Sequence, residues 1–264
     1  AMAAQAEAAL ERLAADLRAA APDVVLVVGD DQGELFAPDN FPALAVYRGQ
    51  ELAMKPSEHL KGMPPWADQK FWAGYRMDLP HRYPGSPELA MDLINDLIRQ
   101  GVDVTSCDSV PDPSQRGFGH AFGFVIVRLM KDLPVPMLPV LLNTYFPPNT
   151  PTAARCYEVG VKIASALSNS SSPARVAVVA SGGLSHFLCE EAFDRRIISA
   201  LQTGDVEALT GIPQQALLSG SSEIRNWVMV AGMVEKLKAN FTEYIPVYRT
   251  PLGTGIGLGF MSWR

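Results

Sequence analysis

A valine-rich run that leads into two glycines and a histidine constrains the fold more than any other stretch of the sequence. The run occupies residues 178–180 and continues through Ser181-Gly182-Gly183-Leu184-Ser185 to His186. A short apolar run of this kind predicts a strand that is buried on both faces, as in the parallel sheets of α/β proteins. Ligands of open α/β sheets bind at the carboxyl ends of the strands, so His186 is the first candidate for proton transfer near pH 7. The alternative, a histidine that only starts a helix or packs, stays open.

Apolar runs alternate with helical patterns along the rest of the chain. This alternation predicts an α/β fold, a mostly parallel central sheet with helices on both faces. We predict helices at residues 3–21, 86–97, 124–130, 152–167, 190–204, 205–209 and from 219 onward, and strands at 24–28, 41–47, 102–105, 134–145, 244–248 and 253–260 in addition to the run above. The last of these contains GTGIGLG, which we interpret as a close-packed terminal strand and not as a dinucleotide-binding loop.

Residues 48–86 interrupt this alternation. They are rich in proline and aromatic residues and show no sustained periodicity, so we interpret them as a loop-rich insertion in a single domain that spans residues 3–264. Trp66 and Trp72 within the insertion either form a wall for an aromatic ligand, hold the loop against the body, or form a subunit contact. His59 and His81 lie there too, and without partners at metal-ligand spacing we expect them to be surface or packing residues.

Composition narrows the class of partner. A chain of 264 residues with 48% hydrophobic residues can bury roughly 70–75% of its unfolded surface, so it needs neither a metal nor a disulfide to fold. The net charge of −6 without a block of basic residues argues against nucleic acid and anionic membranes. Three cysteines lack CxxC spacing, and no signal sequence or membrane-length apolar run is evident. We expect a cytoplasmic protein that acts on a small molecule or a protein partner.

Three further segments carry candidate functional side chains. Residues 29–34, Gly-Asp-Asp-Gln-Gly-Glu, follow the first predicted strand; they suit a divalent cation or a polar substrate as well as they suit an Asx-turn with a helix cap. Three glycines surround His120, the second candidate for chemistry, which indicates close approach of the backbone to another group. Glu223 opens a helix, where a capping box would account for it without a function. Asp194, in a later helix, is expected to be solvated.

Five segments, taken together and in this order, resemble a known superfamily. They are PDVVLVVGDDQGELF (22–36), GFGHAFGF (117–124), PVLLNTYFPP (139–148), SGGLSHF (181–187) and SGSSEIRNW (219–227). The chain resembles the class III extradiol ring-cleavage dioxygenases, the superfamily of the protocatechuate 4,5-dioxygenase catalytic subunit, from residue 3 onward. The resemblance implies a non-haem Fe(II) held by two histidines and a glutamate. It also implies that O2 cleaves the ring of a catecholic aromatic acid, of the protocatechuate or gallate type.

The resemblance assigns roles to four residues of this chain. Glu223 matches the carboxylate ligand of the iron, and His186 matches the catalytic histidine that handles the substrate hydroxyl proton. Asn143 and Tyr145 fall in the segment that borders the substrate pocket. We expect three distant segments, which carry Gln32, His186 and Glu223, to converge at one rim of the sheet.

Three departures from the family pattern affect the expected site. Gln32 stands where the family has an iron-binding histidine, and we expect its neutral amide to face the metal as a weaker ligand. The family's other histidine ligand belongs to a first strand that has no counterpart in the sequence given. Either an upstream segment supplies this histidine and completes the site, or the protein lacks it; for the chain as given we expect weak iron binding. Arg116 stands where the family has a histidine before glycine; we expect His120, four residues later, to take over that role, with both residues contacting substrate.

A second hypothesis keeps the fold without the reaction. Because a fold does not fix a function, the chain could be an iron-free binding or interaction subunit, and Gln32 is the residue that favours this alternative. Self-association is expected from the apolar, tryptophan-bearing insertion. Whether a small helical partner subunit closes the pocket is left open by the sequence.

Overall fold

The computed structural model describes residues 2–56, 64–131 and 133–264, and it has the predicted α/β architecture. The strands are β1 (Val24–Asp30), β2 (Leu44–Tyr47), β3 (Glu51–Ala53), β4 (Arg82–Pro84), β5 (Thr105–Cys107), β6 (Met137–Leu142), β7 (Val176–Ala180), β8 (His186–Leu188), β9 (Ala239–Tyr248) and β10 (Thr254–Trp263). The helices are α1 (Met2–Ala20), α2 (Pro65–Ala73), α3 (Pro87–Arg99), α4 (His120–Val125), α5 (Ala153–Asn169), α6 (Glu191–Thr203), α7 (Val206–Thr210) and α8 (Ile224–Met233).

The central sheet has the strand order β5-β2-β6-β1-β7. Strands β6 and β7 run parallel to β1 on its two sides. Strand β2 runs antiparallel to β6 and parallel to β5, so the sheet is mostly parallel with two reversed strands. The carboxyl ends of β1, β6 and β7 consequently meet at one edge, where a ligand site is expected.

The alternation of side chains along β1 explains why both faces of the sheet are covered. Val24, Leu26 and Val28 join a core that includes α3, α5 and α8. Val25 and Val27 point to the other face and join a core that includes α4 and the end of α1. Since every residue of β1 is buried, an uninterrupted apolar run is what this strand requires.

Strand β7 differs from its prediction. Its five residues are only partly buried, whereas the sequence predicted burial on both faces. The physical reason is its position: β7 is one of the two edge strands of the sheet. It also borders a mostly apolar cavity of about 380 Å³, whose walls include Leu13 of α1 and Phe260 of β10.

The two predicted C-terminal strands form a separate hairpin. Strands β9 and β10 pair antiparallel, and β10 pairs on its other side with β8. The prediction of a close-packed terminal strand for the glycine-rich segment is confirmed. Gly259 illustrates the packing, because a Cβ there would lie 2.8 Å from a methyl carbon of Leu184. The hairpin rests on α1 through Ala9, Ile245 and Phe260.

The insertion is more regular than predicted. It contains the antiparallel pair β3–β4 and helix α2, whose Trp66 is 68% exposed while Trp72 packs against Phe71, ring centroids 4.9 Å apart. His59 lies outside the described residues. Nε2 of His81 lies 3.0 Å from Oδ1 of Asp78, a contact within the insertion that fits the expected packing role.

Two features concern location. Within the described parts of the chain, no helix has both the length and the apolar character that crossing a membrane requires. The three cysteines are free thiols.

Candidate active site

Side chains from four segments meet at the carboxyl edge of the sheet. Nε2 of Gln32 lies 3.0 Å from Oδ2 of Asp30 and 3.3 Å from Oε1 of Glu223. Nε2 of His186 lies 3.6 Å from the same Glu223 oxygen. The structure therefore brings together Gln32, His186 and Glu223, which the sequence analysis expected to converge, and it adds Asp30 to them.

The two aspartates at the carboxyl end of β1, Asp30 and Asp31, have different roles. The carboxylate of Asp31 accepts hydrogen bonds from the backbone N–H groups of Glu34, Leu35 and Phe36, 2.7–2.9 Å away. It thus forms the turn that was one of the two interpretations of this segment. Asp30 is only 2% exposed, and among the described residues its Oδ1 has no hydrogen-bond partner. Of the two aspartates, only Asp30 therefore fits the cation or substrate interpretation.

Glu223 stands at the N-cap position of α8, but its side chain makes no capping hydrogen bond. The capping box, the alternative account of this residue, is therefore wrong. Oε2 of Glu223 instead accepts a hydrogen bond from the backbone N–H of Gly183, at 2.5 Å. Two residues of α8 hold the same turn. The side chain of Asn226 donates a hydrogen bond to the carbonyl of Ser181, and that of Trp227 donates one to the carbonyl of Gly182.

His120 begins α4 and is oriented by Glu34. Its Nδ1 lies 2.6 Å from Oε1 of Glu34. Gly119 makes this contact possible, because a Cβ there would overlap the Glu34 carboxyl group. Gly123 allows a second close approach, since a Cβ there would overlap the carbonyl of Tyr75. The close backbone approach predicted around His120 is confirmed, and the approaching groups belong to the protein itself.

The electrostatics of this cluster follow from burial and proximity. Burial raises the pKa of Asp30 to about 7, and the negative charge of Glu223 acts in the same direction. Burial alone would raise the pKa of Glu34, but the hydrogen bond and charge of His120 outweigh it and lower that pKa to about 2. Burial opposes protonation of His120, yet Glu34 raises its pKa to about 9. Glu34 and His120 therefore form an ion pair in the absence of a cation.

Three of these groups could hold a metal ion. Asp30, His120 and Glu223 each offer a ligand atom, and these atoms lie within 4.8 Å of one another. Nδ1 of His120 is engaged by Glu34, so Nε2 is the ring nitrogen left for a cation. Two carboxylates and an imidazole suit Fe(II) or a similar divalent ion. Gln32 was expected to face the metal as a weak ligand. Instead, its amide nitrogen points toward the carboxylates of Asp30 and Glu223, and in this orientation its oxygen does not.

The expected substrate-contact residues are placed less centrally. Arg116 lies exposed in the turn before Gly117. Asn143 is buried, and its amide holds its own loop through the carbonyl of Phe146 and the side chain of Asn149. Tyr145 is 39% exposed and packs edge-on against Phe146.

Three residues near the cluster could not be singled out from the sequence. Asp30 and Glu34 were visible only as members of a dense acidic set, with nothing to separate them from Asp31. Tyr75 comes from the insertion, and its ring centroid lies 6.2 Å from that of His120. Burial and the charge of Glu223 raise the pKa of Tyr75, which places its hydroxyl in the same electrostatic environment. No pattern in the sequence indicated Tyr75.

Asp194 corrects another prediction. It was expected to be solvated, but it is fully buried. Its carboxylate accepts hydrogen bonds from the N–H and hydroxyl of Ser185 and from the hydroxyl of Tyr244. An acidic residue in a helix usually faces water, and only the tertiary contact with the residue before His186 reverses this. Asp194 thus fixes the backbone next to His186.

Comparison with protein-family models gives a match over residues 2–259. The matching family is described as the catalytic LigB subunit of aromatic ring-opening dioxygenase. The match spans every segment of the cluster, from Asp30 to Glu223, and it confirms the resemblance drawn from the five sequence motifs.

Proposed function

Because the chain belongs to the family of catalytic LigB subunits of aromatic ring-opening dioxygenases, we propose that it cleaves the ring of a catecholic aromatic acid with O2. In such a reaction both oxygen atoms enter the product and the substrate supplies the four electrons, so no external reductant is needed. We propose extradiol cleavage, next to the two hydroxyl groups, and a substrate of the protocatechuate or gallate type. Fe(II), when bound, would supply open coordination positions for a catecholate and O2.

The observation that carries this proposal is the position of His186 beside the carboxylate cluster. Nδ1 of His186 lies 3.2 Å from the carbonyl oxygen of Leu184, so in the neutral ring Nδ1 carries the proton and donates it. Nε2, on the side of Glu223, is then the basic nitrogen. A histidine in this state can accept the proton of a substrate hydroxyl and return it later, as a general acid and base.

Substrate contacts are proposed around this base. Arg116 would pair with the carboxylate of the aromatic acid, which the negative charges of Asp30, Glu34 and Glu223 would otherwise repel. Tyr145 and Tyr75 would border the ring. Asn143 would act indirectly, since its amide shapes the loop that carries Tyr145. We further propose a cytoplasmic location, consistent with the free thiols.

A reaction test decides between this function and the iron-free alternative. The full chain is loaded anaerobically with Fe(II), mixed with a panel of catecholic acids, and exposed to O2. We expect oxygen uptake equal to substrate consumed and a yellow ring-opened product. If a catechol binds the iron-loaded protein without oxygen uptake, the function is that of a binding subunit, which the presence of Gln32 in place of histidine favours.

A further inference from the structure

An unsatisfied carboxylate oxygen lies in the middle of the cluster. Oδ1 of Asp30 is buried and has no hydrogen-bond partner among the described residues, while Oδ2 accepts from Gln32. Leaving a buried carboxylate oxygen unpaired is unfavourable, because no hydrogen bond replaces the water that the oxygen has lost. The oxygen belongs to a residue that, with His120 and Glu223, offers ligand atoms within 4.8 Å of one another. A cation among these atoms would satisfy it.

The orientation of His120 is the second observation. A metal-bound histidine usually donates its other ring N–H to a carboxylate, which fixes the ring and raises its basicity. Glu34 stands in that relation to Nδ1 of His120, at 2.6 Å. Gly119 is required for this contact, because any side chain there would displace the Glu34 carboxyl group.

The orientation of the Gln32 side chain is the third observation. Its amide nitrogen approaches one oxygen of Asp30 and one of Glu223. It can therefore hold the two carboxylates at a fixed separation while each keeps a second oxygen, although Oε2 of Glu223 also accepts from Gly183. In this arrangement Gln32 organises ligands and is not one itself.

We propose that Asp30, His120 and Glu223 form the divalent-cation site of this chain, with Glu34 and Gln32 as positioning residues. This set shares only Glu223 with the two histidines and glutamate that the family resemblance implies. It also reverses our expectation of weak iron binding, which counted only Glu223 and Gln32 as ligands. The inference rests on the proposed function only for the identity of the ion as Fe(II).

Binding measurements on the full chain test the ligand set. After chelator treatment, Fe(II) is titrated anaerobically by calorimetry, and Mn(II) serves for spectroscopy. We expect one ion per chain in the wild type and at least a 100-fold loss of affinity in Asp30→Asn and His120→Gln. Glu34→Gln should lose about 10–100-fold, as outer partners of metal-bound histidines do. His81→Gln is the matched histidine control and should keep stoichiometry and affinity, because His81 pairs with Asp78 in the insertion.

Pulsed electron paramagnetic resonance of the Mn(II) complex gives a readout that does not depend on variant folding. One coupled imidazole nitrogen in the wild type supports the proposal, whereas two, or none, overturn it. Retained affinity in both folded variants Asp30→Asn and His120→Gln also overturns it, as does a wild type that binds no ion.

The two proposals can fail separately. If an ion binds through Asp30 and His120 but no catechol consumes oxygen, the ring-cleaving function is wrong and the metal site stands. If the iron-loaded chain opens catechols while Asp30→Asn and His120→Gln bind iron normally, the metal site is wrong and the function stands.

Discussion

At the scale of single residues, the tautomer of His186 follows from one contact. The carbonyl of Leu184 accepts a hydrogen bond from the Nδ1–H group, which leaves the unprotonated Nε2 as the base. We expect His186→Gln to lower kcat by about 10²–10⁴-fold, because general acid and base catalysis contributes this much. The kcat of wild type and variant is measured from steady-state oxygen uptake with the best substrate of the panel.

The control for this prediction is His81→Gln. His81 is paired with Asp78 in the insertion, and we expect that variant to keep the wild-type kcat. An unchanged kcat in His186→Gln would remove this residue from the mechanism.

Single residues also show where the sequence was informative. His186 and Glu223 could be identified because each stands in a motif of distinctive order. Asp30 and Asp31 could not be told apart, since adjacent residues at a strand end point in opposite directions only once the turn that follows is formed. The burial of Asp194 likewise depends on Tyr244 and Ser185, which lie 50 and 9 positions away.

At the scale of elements, the position of Glu223 depends on how α8 packs against α5. A Cβ on Gly160 of α5 would overlap the carbonyl oxygen of Met229 on α8. We expect Gly160→Ala to lower the free energy of unfolding by about 1–3 kcal/mol, as overpacking does. It should also reduce metal affinity, because α8 must shift and Glu223 directly precedes it. Urea unfolding and metal titration measure the two effects.

Gly204→Ala provides the comparison. Gly204 has φ of 66° and nothing within 4 Å of an added Cβ, so only the left-handed backbone strain of roughly 1 kcal/mol is expected there. Metal affinity should not change in Gly204→Ala. If Gly160→Ala leaves metal affinity unchanged as well, then the α5–α8 contact does not control the position of Glu223.

Elements were predictable where they are long. Strand β1 and helices α1, α3 and α5 were recognised from sustained apolar patterns. Strands β3 and β4, which were not predicted, have three residues each, too few to show a period. The strand predicted at residues 102–105 is β5, displaced toward Cys107, because Val102 packs into the core at the end of α3 instead.

At the scale of the whole molecule, Asp16 links the first helix to the last strand. Its carboxylate accepts hydrogen bonds from Arg12, Ser262 and Arg264. Burial raises the pKa of Asp16, but the hydrogen bonds from Ser262 and Arg12, together with the charges of Arg12 and Arg264, outweigh burial and lower it. A lowered folded-state pKa means that the ionised carboxylate stabilises the fold above the unfolded pKa near 3.9, and that this stabilisation is lost as pH falls through the folded value.

The prediction for Asp16→Asn is a pH-dependent loss of stability. At pH 7 we expect the free energy of unfolding to fall by about 1 kcal/mol, the usual contribution of partly exposed charged hydrogen bonds. The difference from wild type should shrink toward zero as pH falls below about 4. Chemical unfolding of both proteins across pH 3–7 checks this, and a difference independent of pH would contradict the assigned role.

The pairing of β10 with β8 has a consequence for biosynthesis. Ile256 is the register partner of His186, and the N–H of Gly257 donates to the carbonyl of Ser185. The ribosome finishes the strands of the central sheet about seventy residues before it begins β10. A nascent polypeptide would thus hold its central sheet before the backbone that carries His186 gained its strand partner, so the catalytic segment would be fixed only after β10 is synthesised.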